Sequence, residues 1–402
     1  MNKLKGKNIL IGVTGGIAIY KVLDLISRLI KAEANVKVIM TDAAMKFVTP
    51  LTFETISKNE VYNEIFKNTI NHKVEHIELS KFPDAFLIAP ATGNTMAKIA
   101  NGIADNLLTS VALATQKKII FAPAMNTNML NNYHTQENMK KLKELGHYFV
   151  ESDYGLLACG DIGSGRMAEP LQLLEYLNDY FTEKDLLGKK LTITAGPTEQ
   201  KLDPVRYMTN RSTGKMGYAI AKEAKSRGAY VRLISGPTAI EVPIVDEFIR
   251  IETTEDMYNA VEKVFDDTDC LIKSAAPLDY KPVNVSDIKI KKGSSDSNLV
   301  LEFERTIDIA ETIGSKKGNK IMVGFAAETN DVINYAKDKM IRKNFDFVVA
   351  NDVSQSDAGF GVDTNRVSIV DNGGNVEELP LMTKNEVANK ILDRVEQLLK
   401  AR

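Results

Sequence analysis

One opening occurs twice in this sequence, and it leaves few folds to choose from. Residues 4–16 read LKGKNILIGVTGG and residues 187–197 read LGKKLTITAGP. Each is a polar Gly-Lys lead-in, an apolar or alternating run, and a glycine turn at which a helix can begin. A strand that feeds a glycine turn and then a helix is the first unit of a doubly wound α/β layer. Starting it twice predicts two domains in place of one sheet, and 402 residues exceed what a single hydrophobic core usually supports. The expected fold class is α/β: two doubly wound, Rossmann-like three-layer domains with mainly parallel sheets. Their expected spans are 1–186 and 187–402, with the boundary near Asp185–Gly188, after a helical stretch at 170–181.

Short runs rich in Ile, Val and Ala predict strands at 8–13, 36–40, 85–89 and 119–122, and again at 191–195, 230–235, 270–275, 321–325 and 347–350. Between the first two, residues 17–32 set Ile17, Tyr20, Val22, Leu23, Leu25, Ile26, Leu29 and Ile30 on a broad helical face. Residues 292–297 are small and polar and read as a surface turn before a strand-like stretch at 298–303. Charge is nearly balanced, 51 Lys plus Arg against 53 Asp plus Glu, so no global field draws nucleic acid or an anionic membrane. Any anion site must be local. The longest apolar runs, 85–90 and 118–124, fall far short of the roughly 20 residues that cross a bilayer. The chain has two cysteines and begins MNKLK without an apolar signal core, which argues against an oxidising compartment; the expected location is cytoplasmic.

In the first half, Gly15, Gly16 and Ile17 follow the first strand, where a helix N-terminus and an open backbone favour a phosphate. The pattern is not GxGxxG, and such turns also occur where nothing binds. Thr41 follows the second strand, at the sheet edge where ligands of these folds sit. Thr92 and Asn94 follow the third and could hold a heterocycle or cap a helix near Thr95. Asn126 follows the fourth and could grip a carboxylate or serve as a turn asparagine. His76, one of four histidines, lies in the strand-like VEHIEL, as a proton-transfer candidate or a plain surface residue. Cys159 and Arg166 share a loop with three glycines, able to fold over a ligand, although a lone cysteine is more often a small buried residue.

Five segments in order, TGGIA (14–18), HIEL (76–79), PAT (90–92), PAMN (123–126) and ACGDIG (158–163), make residues 1 to about 182 resemble the flavoprotein family of cysteine decarboxylases, in particular its phosphopantothenoylcysteine decarboxylase domain. The resemblance implies a flavodoxin-like domain with bound FMN. It implies oxidation of the substrate's cysteinyl thiol to a thioaldehyde, easy loss of the carboxylate, and return of a hydride, with no net redox change. It implies that His76 supports oxidation and decarboxylation, that Asn126 binds the substrate carboxylate, and that Cys159 donates a proton.

In the second half, Ser212, Gly214 and Lys215 open a helix in a manner suited to phosphate. This is no Walker A loop, because Met216 follows Lys215. Asp279, beyond a strand, could hold Mg²⁺. Lys289, Lys291 and Lys292, with Lys339, Arg342 and Lys343, form two basic clusters that suit a polyanion larger than one phosphate. ITAGPT (193–198), LDPVRY (202–207), NRSTGKMG (210–217), VGFAAETN (323–330), IRKN (341–344) and ANDVS (350–354) make residues 187 to about 400 resemble phosphopantothenate–cysteine ligase. Joined to the decarboxylase, that family uses CTP: the phosphopantothenate carboxylate attacks the α-phosphorus, pyrophosphate leaves, and the cysteine amine displaces CMP. The resemblance implies Lys289 as the transition-state cation and Asn210 as a donor to the acyl intermediate. It also implies Ser274, Ala275, Asp279, Asp308, Phe325, Lys339 and Lys343 in the nucleotide site. It further implies decarboxylase trimers, ligase dimers and their combination into a dodecamer.

Two other readings compete. A dinucleotide-dependent oxidoreductase would also begin each half with strand, turn and helix, but neither half carries GxGxxG, and a colourless protein would distinguish it from a yellow one. A flavin-binding regulatory scaffold would lose nothing on replacement of Cys159.

Overall fold

The structure, a computed structural model of the chain, describes residues 3–65, 74–157, 160–291, 299–328, 332–352 and 361–402. Cys159 and the polar stretch 292–297, Lys292 included, lie outside these residues. The chain divides into two compact units, residues 2–182 and 183–402.

In the first unit six strands, β1 (Asn8–Val13), β2 (Asn35–Met40), β3 (Val61–Tyr62), β4 (Ala85–Ala91), β5 (Ile119–Pro123) and β6 (Tyr148–Phe149), form a parallel sheet in the order β3-β2-β1-β4-β5-β6. The apolar runs are near-continuous because both faces are covered. Ile9, Ile11 and Val13 pack with Leu25, Ile26 and Leu29 of helix Ile19–Lys31 on one face. Leu10, Ile39, Phe86, Ile88 and Phe121 pack with Leu107, Leu108 and Val111 of helix Leu107–Ala114 on the other. An antiparallel hairpin, β7 (Asp153–Leu156) with β8 (Ile162–Arg166), precedes helix Pro170–Tyr180.

The second unit holds β9 (Lys190–Ala195), β10 (Glu199–Lys201), β11 (Tyr207–Thr209), β12 (Tyr230–Ser235), β13 (Glu247–Arg250), β14 (Cys270–Lys273), β15 (Tyr280–Pro282), β16 (Phe303–Arg305), β17 (Ile321–Glu328), β18 (Phe347–Asp352), β19 (Thr364–Asn365), β20 (Val367–Asp371) and β21 (Val376–Glu378). Its main sheet runs β13-β12-β9-β14-β17-β18-β20-β21. It is parallel as far as β18 and antiparallel thereafter. The last reversal needs a tight turn, and Asp371 supplies it by accepting the amides of Gly373 and Asn375, with Gly374 at φ +80°. Cys270 and Ile272 face one apolar layer, and Leu271 faces the other. The C-terminal helix Lys384–Ala401 starts at a capping box of Thr383 and Glu386 and packs Val387, Ile391 and Val395 on the first layer. No helix among the described residues is long and apolar enough to cross a membrane.

Two local expectations fail. VEHIEL forms helix Glu75–Lys81 in place of a strand: acidic side chains in its first turn suit a helix start, and the face carrying Leu79 and Ser80 is buried. The strand expected at 298–303 is reduced to Phe303–Arg305, paired antiparallel with β15 through Phe303 and Pro282, while Leu299 and Val300 are exposed.

Candidate functional site

Each main sheet reverses its strand order at its first strand, so the turns leaving the two central strands diverge and open a crevice at the carboxyl edge. In the first unit that crevice is a cavity of about 1160 Å³, and Gly15, Gly16, Ile17, Thr41, Thr92, Asn94 and Asn126 all line it. Thr14 ties the two central turns together: its buried hydroxyl donates to the Pro90 carbonyl (2.5 Å) and accepts the Thr92 amide (3.2 Å). A side chain at Gly15 would put its Cβ 2.5 Å from that of Ala43, so glycine lets the turn after β1 lie against the turn after β2. Thr41 caps helix Asp42–Met45, and Thr92 caps helix Gly93–Ala100 while lining the cavity, so both roles weighed for Thr92 are present.

Asn126 accepts the Asn128 amide (2.8 Å), as a turn asparagine does, and its own amide donates to the Asp161 carboxylate (3.2 Å). The β7–β8 hairpin lies flush on this segment, because Gly165 at φ +124° would otherwise drive a Cβ to 2.2 Å from the Met125 carbonyl. Leu156 and Leu157 thereby reach the cavity, with Met125 and Met129. Arg166 pairs with Glu169 (2.6 Å), which also holds the buried Lys21 (2.9 Å). His76 is half-buried on its helix and does not line the cavity. The apolar wall was not anticipated from sequence; methionines after a strand-end turn were its only sign.

In the second unit the crevice is smaller, about 400 Å³. Asn210, Ser212, Gly214, Lys215, Ser274, Ala275, Asp279, Asp308, Phe325, Lys339 and Lys343 line it together. Gly214 begins helix Lys215–Ser226 in the left-handed conformation, φ +77°. The Asn210 amide bridges the carbonyls of Ala276 and Pro277, both at 3.1 Å, and the Ser274 hydroxyl donates to the Thr194 carbonyl (2.8 Å), so both central turns are pinned. Asp308 caps helix Ile309–Gly314 and pairs with Lys343 (2.7 Å). Burial alone would raise its pKa, but Lys343 and the helix amides hold it below the ordinary carboxylate range. Lys339 donates to the Phe325 carbonyl (2.7 Å), and Lys215 to Asp363 (2.7 Å) and the Gly361 carbonyl (2.9 Å). Among the described residues no three His, Cys, Asp or Glu side chains converge as a metal site.

Lys289 is exposed and does not line the cavity, but the chain beside it is fixed. The fully buried carboxylate of Asp203 accepts the amides of Val205 (2.7 Å), Arg206 (2.8 Å) and Ile290 (3.1 Å), and Arg206 donates to the Ile290 carbonyl (2.9 Å). Burial would raise the Asp203 pKa; the three amides and Arg206 outweigh it and bring it down. Sequence reasoning also missed Lys273 and Lys384, both buried and both lining this cavity. For Lys273 the signal was a cation closing the apolar run CLIK.

Residues 1–182 match the Flavoprotein family model, and residues 186–399 match that of the DNA/pantothenate metabolism flavoprotein C-terminal domain. Over 401 residues the chain is 45% identical to the coenzyme A biosynthesis bifunctional protein CoaBC of Bacillus subtilis, covering 99% of this chain and 98% of that one. It is 41% identical to the protein of the same name from Vibrio cholerae over 398 residues, covering 99% and 100%. Among solved structures, the C-terminal domain of a coenzyme A biosynthesis bifunctional protein CoaBC is similar at 43% identity and a TM-score of 0.48, over 55% of this chain and 100% of that one.

Proposed function

The chain belongs to the family of bifunctional coenzyme A biosynthesis proteins, and on that premise we propose which of its residues carry each half of the work. It is a phosphopantothenate–cysteine ligase and a phosphopantothenoylcysteine decarboxylase, and a flavoprotein that uses FMN. The observation that carries the reading is 45% identity, over nearly the whole of both chains, to a bifunctional relative, in a chain whose two units each hold a crevice at the sheet's carboxyl edge. Neither the dinucleotide oxidoreductase nor the regulatory scaffold is favoured beside it.

FMN fits the first cavity. The Gly15–Gly16 turn leaves backbone amides open to its phosphate, Thr41, Thr92 and Asn94 offer hydroxyl and amide groups, and Met125, Met129, Leu156 and Leu157 wall a flat ring. When bound, the flavin would supply a reversible hydride acceptor for the substrate's cysteinyl carbon. The protein's share is orientation and proton handling. Asn126, whose amide already donates to one carboxylate, holds the substrate's. His76 serves the thiol and carboxylate end, and Cys159 delivers the proton that the enethiol needs.

In the second unit the lysine-rich crevice takes the triphosphate of CTP, with Ser212, Gly214 and Lys215 at the helix start and Ser274, Ala275, Asp308, Phe325, Lys339 and Lys343 around the nucleotide. Mg²⁺ beside phosphates is usually held by one or two carboxylates of the protein, and Asp279, which lines the crevice, would give one. The phosphopantothenate carboxylate attacks the α-phosphorus, pyrophosphate leaves, and the cysteine amine displaces CMP. Lys289 neutralises the charge that builds on phosphorus, and Asn210 donates to the acyl group. The units assemble as trimers through the first and dimers through the second, combining into a dodecamer; exposed Ile17, Tyr20, Val74 and Ile77 on the first unit suit a subunit contact. The enzyme works in the cytoplasm.

One assay tests the whole reading. The purified protein is given 4′-phosphopantothenate, cysteine, Mg²⁺ and either CTP or ATP, while pyrophosphate, carbon dioxide and the visible spectrum are followed. The expected result is a yellow protein releasing both products with CTP. A colourless preparation that releases neither product defeats the reading.

A further inference from the structure

The second cavity contains a lysine that no step above uses. Lys273 closes β14, and the alternation of the strand turns it away from Cys270 and Ile272 towards the layer that holds Leu271. It is 9% exposed and lines the cavity. Four charged groups face it: Lys339 and Lys343 at the end of helix Val332–Arg342, Asp308 at the start of helix Ile309–Gly314, and Asp279 beyond β14. Two of these are engaged with each other, Lys343 with Asp308 (2.7 Å), and Lys339 is held by the Phe325 carbonyl (2.7 Å). Among the described residues no protein group accepts a hydrogen bond from the Lys273 ammonium, which opens into the cavity.

A buried ammonium without an acceptor either gives up its proton or waits for an anion. A lysine inside a cavity already read as a polyanion site can do both in turn. Resting on the ligase reading of this cavity, we infer that Lys273 is a ligand-contacting residue of the ligase, its ammonium binding an oxyanion of the molecule that fills the crevice. The free site supports this. Burial, then repulsion from Lys343 and Lys339, pushes Lys273 down to about 7, against the pull of Asp308 and Asp279. At pH 8 the empty site is mostly neutral amine, and binding completes with one proton taken from solution onto Nζ; no other bond changes. The oxyanion belongs either to the nucleotide triphosphate or to 4′-phosphopantothenate.

Calorimetry on the full-length chain at pH 8, in two buffers of different ionisation enthalpy, separates these sources. CTP, ATP and 4′-phosphopantothenate are titrated separately into the wild type, Lys273→Met and Lys273→Arg. The wild type is expected to take up close to one proton with one of the three. Lys273→Met should take up none and bind that ligand about 10- to 100-fold more weakly. Lys273→Arg, which keeps a permanent charge, should bind with no proton uptake and serves if the Met variant does not fold. Circular dichroism and a thermal unfolding transition of the second unit report folding in each variant. Wild-type affinity and wild-type proton uptake in folded Lys273→Met would overturn the inference. A wild type that binds none of the three ligands defeats the ligase reading instead, and this inference with it.

Discussion

The two units share a scaffold and differ in what fills it. Each winds helices about a parallel sheet and opens a crevice where the strand order reverses, yet the first crevice is about 1160 Å³ and walled by Met125, Met129, Leu156 and Leu157, and the second is about 400 Å³ and ringed by Lys215, Lys273, Lys339, Lys343 and Lys384. The first suits the ring system and single phosphate of a flavin; the second is the one proposed for a chain of phosphates. Topology selects where a ligand goes, and the side chains at the strand ends select its class.

That division of labour can be attacked with single substitutions. Lys289→Ala is expected to cut pyrophosphate release by about 10²- to 10⁴-fold and leave decarboxylation of supplied 4′-phosphopantothenoylcysteine intact. Cys159→Ser is expected to do the converse by a similar factor. If either variant lost both activities, the units would not be chemically separate. Gly15→Val sharpens the contrast further. Its side chain would collide with Ala43, so the purified variant should lose its flavin absorbance while ligation persists. Asp308→Ala removes a helix cap and the Lys343 partner together. The expected effects are a loss of about 1 kcal/mol of stability, seen as a lower unfolding midpoint, and a KM for CTP raised about tenfold, with FMN retention unchanged. The smallest effect concerns pH. The Asp203 carboxyl sits below its ordinary value in the fold, so its contribution is complete above the unfolded value and is lost as pH falls through the lowered one. Ligation should decline at acid pH a few-fold before decarboxylation does, and Asp203→Asn, which has no carboxyl to protonate, should ligate more slowly throughout and lose that extra acid-side decline.

Most of the parallel architecture could be read directly, because strands buried on both faces announce themselves as unbroken apolar runs: β1 and β12 begin and end where the sequence places them. Short elements escaped. HIEL alternates like a strand over four residues, too few to separate a period of two from one of 3.6, and only packing of Leu79 decides for a helix. The antiparallel edge of β20 and β21 depends on the turn at 371–375, whose Asp, Asn and Gly residues were there to be noticed. The strand-end turns at Gly15, Thr92, Asn126, Asn210 and Ser212 were readable because a polar, glycine-bearing stretch after an apolar run has few other uses. Lys273 was not, since a lysine gains its significance from what surrounds it in space.

The knot at Asp203 limits how Lys289, the cation proposed for the ligase, can be brought to work. Ile290 is fastened at both its amide and its carbonyl, and about 3.8 Å of backbone separates its α-carbon from that of Lys289. With so short a leash the main chain cannot travel, so delivery of the charge falls to the swing of four methylenes. Moving the lysine one position along the chain, which keeps composition and net charge, should therefore be nearly as damaging as deleting it.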